Sequence, residues 1–194
     1  MLLKSVFIGF LSFSILHADI LKECKTEEDI ISGCAERYYY KNGNLASETP
    51  YKNGKEEGIE KWYYENGNLN IETPYKNGKE EGIEKWYYWN GSLRTETPYK
   101  NGKVDGIARW YYDNGNLVIE VSYKNYELHG DLKYYTEDGK LLALVKAENG
   151  SITSGKCFND KVLTDKEIDE ININDIEKAI NYLQKICLKE SDSK

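Results

Sequence analysis

The chain has 194 residues, 30% charged and 40% hydrophobic, with 33 acidic against 26 basic side chains and a net charge of −7. That balance is too apolar and too aromatic for a disordered chain, and one domain or one repeat array is the expected scale. An acidic surface also argues against nucleic acid and against anionic lipid headgroups as partners.

Residues 1–18 read as a secretory signal peptide. Lys4 gives a positive start, Val6 to Leu16 is an apolar run too short to span a bilayer, and Leu16-His17-Ala18 is a small-residue cleavage site before Asp19. Cys24 follows Lys22 and Glu23, unlike a lipoprotein signal. The expected location is therefore the periplasm or the exterior. Residues 19–34 form an amino-terminal capping segment, in which "CKTEEDIISGC" sets Thr26 as a helix N-cap and Gly33 as its stop.

From residue 35 to residue 149 the chain repeats itself every 24 residues. Leu45, Leu69, Leu93 and Leu117 keep that spacing, as do Tyr51, Tyr75, Tyr99 and Tyr123, and Gly58, Gly82, Gly106 and Gly130. A fifth, degraded copy runs from Lys133 to Leu141. A fixed period of this size marks a repeat architecture. Asn66-Gly67 is a strong hairpin signal, read as a two-residue turn with φ > 0 at both positions. That turn sets Tyr64 opposite Leu69, Trp62 opposite Ile71 and Lys61 opposite Glu72. The same register sets Arg37 on Glu48, Lys85 on Glu96 and Arg109 on Glu120, and opposite charges in one place in four copies support it. Asn77-Gly78 returns the chain into the next copy. Alternation then puts Trp62, Tyr64, Leu69, Ile71 and Tyr75 on one face, and Lys61, Tyr63, Asn70 and Glu72 on the other. Pro50, Pro74 and Pro98 fall near the second turn, where a missing donor costs least. Gly82 lies opposite the Thr-Pro segment and leaves room for a neighbouring aromatic ring. The fold class is mainly β, an elongated antiparallel β-hairpin repeat array with a short C-terminal α-helical cap.

The pattern Trp-Tyr-Tyr-x-Asn-Gly-x-Leu, then Tyr-Lys-Asn-Gly-Lys-x-x-Gly, resembles the MORN-repeat variant family of bacterial, often antitoxin-like, repeat proteins. Residues 38–45, 62–69, 86–93 and 110–117 match its first half, and 51–58, 75–82 and 99–106 its second; the fourth copy departs at Tyr126 and His129. The resemblance implies a β-hairpin array used as a binding or scaffolding surface, with no catalytic residues.

Residues 150–194 form a helical cap. Thr164 with Glu167 and Asn174 with Glu177 each open a helix. Ile176, Ala179, Ile180, Leu183 and Cys187 make an apolar stripe expected to pack on the last hairpin and blunt its edge. Four cysteines in an exported chain suggest two disulfides. Five hairpins at about 4.8 Å per strand hold the chain ends roughly 48 Å apart, so Cys24 pairs with Cys34 and Cys157 with Cys187. A metal site lacks a CxxC spacing.

No nucleophile elbow, phosphate loop or zinc-helix motif is present. His129 is the single histidine after residue 18. Glu56, Glu57, Glu60, Glu80, Glu81 and Glu84 recur with the period, as a solvated face does. No catalytic residue, cofactor or metal is expected. Asn90-Gly-Ser92 and Asn149-Gly-Ser151 match a glycosylation sequon, but the turn reading suffices for both. The candidate binding face is Trp62, Tyr64, Trp86, Tyr88, Trp110 and Tyr112, set against the plainer reading that these rings cover the sheet as its core. Two functions follow. One is an exported, non-enzymatic, monomeric interaction module for an envelope protein, of which an immunity protein is a special case. The other is an envelope carbohydrate binder using the aromatic row, since Lys-Trp-Tyr-Tyr also resembles choline- and glucan-binding repeats.

Overall fold

The computed structural model describes residues 21–188, so the expected leader lies outside the described residues. Helix α1 (Glu27–Ser32) starts on Thr26, whose hydroxyl accepts from the Asp29 amide while the Asp29 carboxylate accepts from the Thr26 amide. Gly33, at φ +116, ends it.

The strands follow in order: β1 (Cys34–Tyr39), β2 (Leu45–Lys52), β3 (Lys55–Glu56), β4 (Gly58–Tyr63), β5 (Leu69–Lys76), β6 (Lys79–Glu80) and β7 (Gly82–Tyr87). After them come β8 (Leu93–Lys100), β9 (Lys103–Val104), β10 (Gly106–Tyr111), β11 (Leu117–Lys124), β12 (Glu127–Tyr135), β13 (Leu141–Glu148) and β14 (Ser151–Cys157). All 14 belong to one antiparallel sheet laid out in chain order, with β3, β6 and β9 as two-residue steps beside the hairpin ends. β1 and β14 stand at opposite ends of that order, so the array is open. Helices α2 (Asp165–Asp169) and α3 (Ile176–Cys187) complete the mainly β fold.

Arg37 faces Glu48, Lys61 faces Glu72, Lys85 faces Glu96 and Arg109 faces Glu120, in the expected register. The two Asn-Gly turns differ from each other, however. Asn77-Gly78 is a tight turn with φ of +53 and +75. At Asn66-Gly67 only the glycine has positive φ, +88. There Asn66 Oδ1 accepts from the Asn68 amide, and the Tyr64 amide donates to the Asn68 carbonyl. This side-chain bond favours an ordinary turn closed by a left-handed glycine, one residue longer than a two-residue loop. The extra length is absorbed by a bulge: Tyr63, not Tyr64, pairs with Leu69, and Asn70 is left over beside the Trp62–Ile71 pair. Leu69 therefore leaves the Trp62 face. The bulge residue takes its place, as its equivalents Val118 and Leu142 do by packing into the core with Ile119.

Gly82, at φ +127, lies under a proline instead of an aromatic ring, because a Cβ there would meet Pro74 Cγ at 2.9 Å.

The main core sits at the C-terminal end. Ala179, Ile180, Leu183 and Cys187 of α3 pack on Ile119, Val121, Leu132, Tyr134, Leu142 and Val145. The helix therefore packs on the last hairpin as expected, against β13, but on its face and not along its edge. An apolar stripe finds apolar partners on the face, whereas an edge offers polar backbone groups. The β14 edge meets the chain after it, where Leu163 N–H donates to the Gly155 carbonyl. At the β1 edge, the Cys24 N–H donates to the Ala35 carbonyl and the Ala35 N–H donates to the Lys22 carbonyl. The α2 capping box uses Thr164 and Glu167 as expected. The α3 cap is Asp175, accepting from the Lys178 amide, because Asn174 is held in a turn by Asn172. Cys24–Cys34 and Cys157–Cys187 are bonded, with Cα separations of 5.1 and 5.4 Å.

Candidate functional site

Alternation lines the side chains of the helix-bearing face into columns that cross the strands. One column runs Tyr38, Ser47, Trp62, Ile71, Trp86, Thr95, Trp110, Ile119, Tyr134. Beside it the paired residues are Glu36 with Thr49, Glu60 with Thr73 and Glu84 with Thr97. The same positions then become Ala108, Val121, Leu132 and Val145. Outermost are Tyr75, Tyr99 and Tyr123, opposite Gly58, Gly82 and Gly106. The middle column turns apolar where α3 covers the sheet. Toward β1 the face stays open: Trp62 is 45% exposed and Trp86 38%, whereas Trp110 packs against the core and Tyr134 is fully buried.

The two faces handle their carboxylates differently. On the far face Glu48 pairs with Arg37 at 2.6 Å, Glu72 with Lys85 at 3.4 Å, and Glu120 with Arg109 and Lys133 at 3.0 and 3.1 Å. Burial raises the Glu120 pKa, but the hydrogen bonds from Lys133 and Arg109 outweigh it and hold the carboxyl below its ordinary value. On the open face Thr49 donates to Glu60 at 2.9 Å and Thr73 to Glu84 at 3.1 Å, and the Trp86 indole donates to Glu84 at 2.8 Å. Among the described residues no lysine or arginine forms an ion pair with Glu36, Glu60 or Glu84. Their field reaches the tyrosine column. Burial first, then Glu60, pushes Tyr75 up to about 12, and burial with Glu84 does the same to Tyr99.

Trp86 and Trp110 flank Thr95, and a recess of about 310 Å³ opens there, bordered also by Glu84, Arg94 and Thr97. A larger one, about 620 Å³, lies between this face and α3, among Tyr88, Arg94, Trp110, Tyr112, Glu177 and Gln184. Four of the six expected face residues thus border recesses. Trp62 stands on the open sheet beyond them, and Tyr64 packs edge-on against Trp89 at 5.1 Å. The hydroxyls of Tyr64, Tyr88 and Tyr112 donate to the carbonyls of Tyr87, Tyr111 and Tyr135 at 2.7, 2.7 and 3.4 Å. These tyrosines tie each repeat to the next, and only their rings remain for contact. His129 lies apart, beside Lys103 and Lys124.

From the sequence Glu60 and Glu84 read only as part of a periodic solvated face, and Glu36, Thr95 and Arg94 were not singled out. A readable signal did exist: the far-face register matches Arg37, Lys61, Lys85 and Arg109 with Glu48, Glu72, Glu96 and Glu120, which leaves the other glutamates unmatched. Arg94 could not be found that way, because its place on this face depends on the bulge.

The profile of the MORN repeat variant matches residues 35–53, 56–77, 80–101, 104–125 and 128–149, more than half of the chain. The chain belongs to the MORN repeat variant family. Two solved structures align with it at 10% identity: TarM, with 58% of this chain covered and a TM-score of 0.28, and a S. aureus TarM mutant in complex with Fondaparinux, alpha-GlcNAc-glycerol and UDP, with 57% covered and a TM-score of 0.27. The MORN repeat variant chain spans 20% of the length of each, and likeness at this level carries no argument. No curated protein matches it significantly.

Proposed function

We propose that this MORN repeat variant protein is an exported, non-enzymatic interaction module that holds an envelope protein on its open Trp62–Trp86 face. One observation supports this most directly. The column that α3 covers at Tyr134 continues uncovered through Trp86 and Trp62, which stay 38% and 45% exposed. Half-exposed indoles in a row make a contact surface of the kind that protein interfaces favour. Export is supported by the leader-like residues 1–18 and by two disulfides, which persist in oxidising compartments. Binding rather than catalysis is supported by carboxylates that recur with the repeat, since an acid and base pair needs two distinct environments.

The test is capture from envelope extracts by the wild type, by Trp62→Ala/Trp86→Ala, and by Ile59→Ser/Ile83→Ser on the far face. We expect capture to be lost in the tryptophan variant alone; loss in the isoleucine variant alone rejects the assignment of the face. The recess between Trp86 and Trp110, with its threonine floor, favours a second reading as a carbohydrate site. Tryptophan fluorescence titrated with wall glycans separates the two.

A further inference from the structure

We propose that the occupant of the open face is an extended basic segment in polyproline II form, which lays a Lys or Arg on each of Glu36, Glu60 and Glu84. The inference rests on the interaction reading above and names the chemistry of the partner.

Charge complementarity comes first. Every far-face glutamate of the strand register has a lysine, arginine or tyrosine hydroxyl on it, whereas Glu60 and Glu84 receive only threonine hydroxyls and one indole N–H. Those neighbours fix the carboxylates in place without neutralising them. Indoles stand on one side of this column and phenols on the other, so a cation arriving on a carboxylate also meets aromatic faces. Aromatic-lined troughs are the usual seat of polyproline II segments, which arrive preformed and lose little entropy.

The period then selects the conformation. Glu36, Glu60 and Glu84 succeed one another two strands apart, or about 9.6 Å. A polyproline II helix returns a side chain to the same side every three residues, about 9.3 Å. A β-strand returns one after about 6.7 Å, and two turns of α-helix advance about 10.8 Å. Only the first keeps step with the carboxylates across three repeats. The open carboxylate column also has an end. Arg94, 5.7 Å above the Tyr88 ring, lies at the recess beyond Trp86, and the next residues of the middle column are Ala108 and Val121, toward α3. The footprint is therefore about seven residues, with the pattern basic-x-x-basic-x-x-basic.

The experiment titrates the full exported chain with the synthetic peptide Lys-Pro-Pro-Lys-Pro-Pro-Lys and follows tryptophan fluorescence. Two control peptides carry lysine at every second residue, or glutamate in place of lysine. We expect binding of the first peptide that weakens with salt. Glu60→Gln and Glu84→Gln should each weaken it by about two- to fivefold, the range of an exposed ion pair, while far-face Glu72→Gln leaves it unchanged. Equal binding of the every-second-residue peptide overturns the polyproline register, and equal binding of the glutamate peptide overturns the role of charge. If no basic peptide binds while an envelope protein is still captured through Trp62 and Trp86, this inference falls and the interaction reading stands. If wall glycans alone quench the tryptophans, both fall.

Discussion

Gly67 and Gly82 both hold positive φ, +88 and +127, yet their surroundings differ. Around Gly67 the nearest atom to an added Cβ is Asn44 Nδ2 at 4.0 Å, so Gly67→Ala carries only backbone strain, about 1 kcal/mol. At Gly82 the Cβ would also meet Pro74 Cγ at 2.9 Å, on a ring that cannot turn aside. Gly82→Ala should therefore lower the melting temperature more than Gly67→Ala, and Pro74→Ala should recover part of that loss. Equal losses in the two single variants would contradict the packing of glycine under proline. Tyr134 calls for the opposite change. Its side chain is fully buried in the α3 core, and its hydroxyl has no hydrogen-bond partner among the described residues. Leaving a buried polar atom unpaired costs about 1–3 kcal/mol. Tyr134→Phe should thus leave stability unchanged or raise it, and a clear fall in denaturant midpoint would mean that the hydroxyl is satisfied.

At the scale of the hairpin, the residues that could be read from the sequence are those whose partners lie within the same repeat. Arg37–Glu48 and Arg109–Glu120 follow from one turn and a count along two strands. The bulge at Asn70 was not legible, because two Asn-Gly pairs with identical letters close differently, one held by the Asn68 amide on Asn66 and the other by the Asn77 amide on Glu57. Contacts between repeats were also hidden. The Tyr64 hydroxyl on the Tyr87 carbonyl, and Tyr87 on Glu72, depend on how one hairpin sits beside the next. These tyrosines carry a pH dependence. Burial comes first, then the bonds to Glu72 and Glu96, and together they push Tyr87 and Tyr111 up to about 12 from an ordinary value of 10.0, as happens to Tyr75 and Tyr99. Below pH 10 these phenols are neutral in both folded and unfolded chains, and their contribution is intact. Between about 10 and 12 the unfolded chain ionises and the folded one does not, so stability falls as pH rises. We expect the tyrosinate absorbance of these four phenols to appear only as the sheet signal is lost. Complete ionisation of the tyrosines near 10 with the sheet intact would count against this half-buried ladder.

Over the whole molecule, the repeat sets an open sheet and the ends decide how it stops. Cys34 begins β1 and Cys157 ends β14, and each is bonded to the segment that packs beside its end of the array. The position of α3 was the part least open to sequence reasoning. An amphipathic stripe says that a helix packs, but the change from Glu and Thr to Ala, Val and Leu in the middle column says where. Through Cys187, α3 covers Ile119, Val121, Leu132 and Val145, a surface that would otherwise stand as exposed as Trp62. The Cys157–Cys187 bridge closes a loop with a sequence separation of 30, and closing a loop of that size should stabilise by roughly 3–4 kcal/mol on a chain-entropy argument. Replacing both cysteines by serine should loosen α3 first, because the strands beneath it keep their hydrogen bonds. The apolar face would then be uncovered and would associate with a second copy, giving dimers or larger species by light scattering while the far-ultraviolet sheet signal persists. Replacing Cys24 and Cys34 should free an end where α1 has no buried side chain, and the oligomeric state should not change. If both pairs gave the same oligomers, association would come from the strand edges and not from the face that α3 protects.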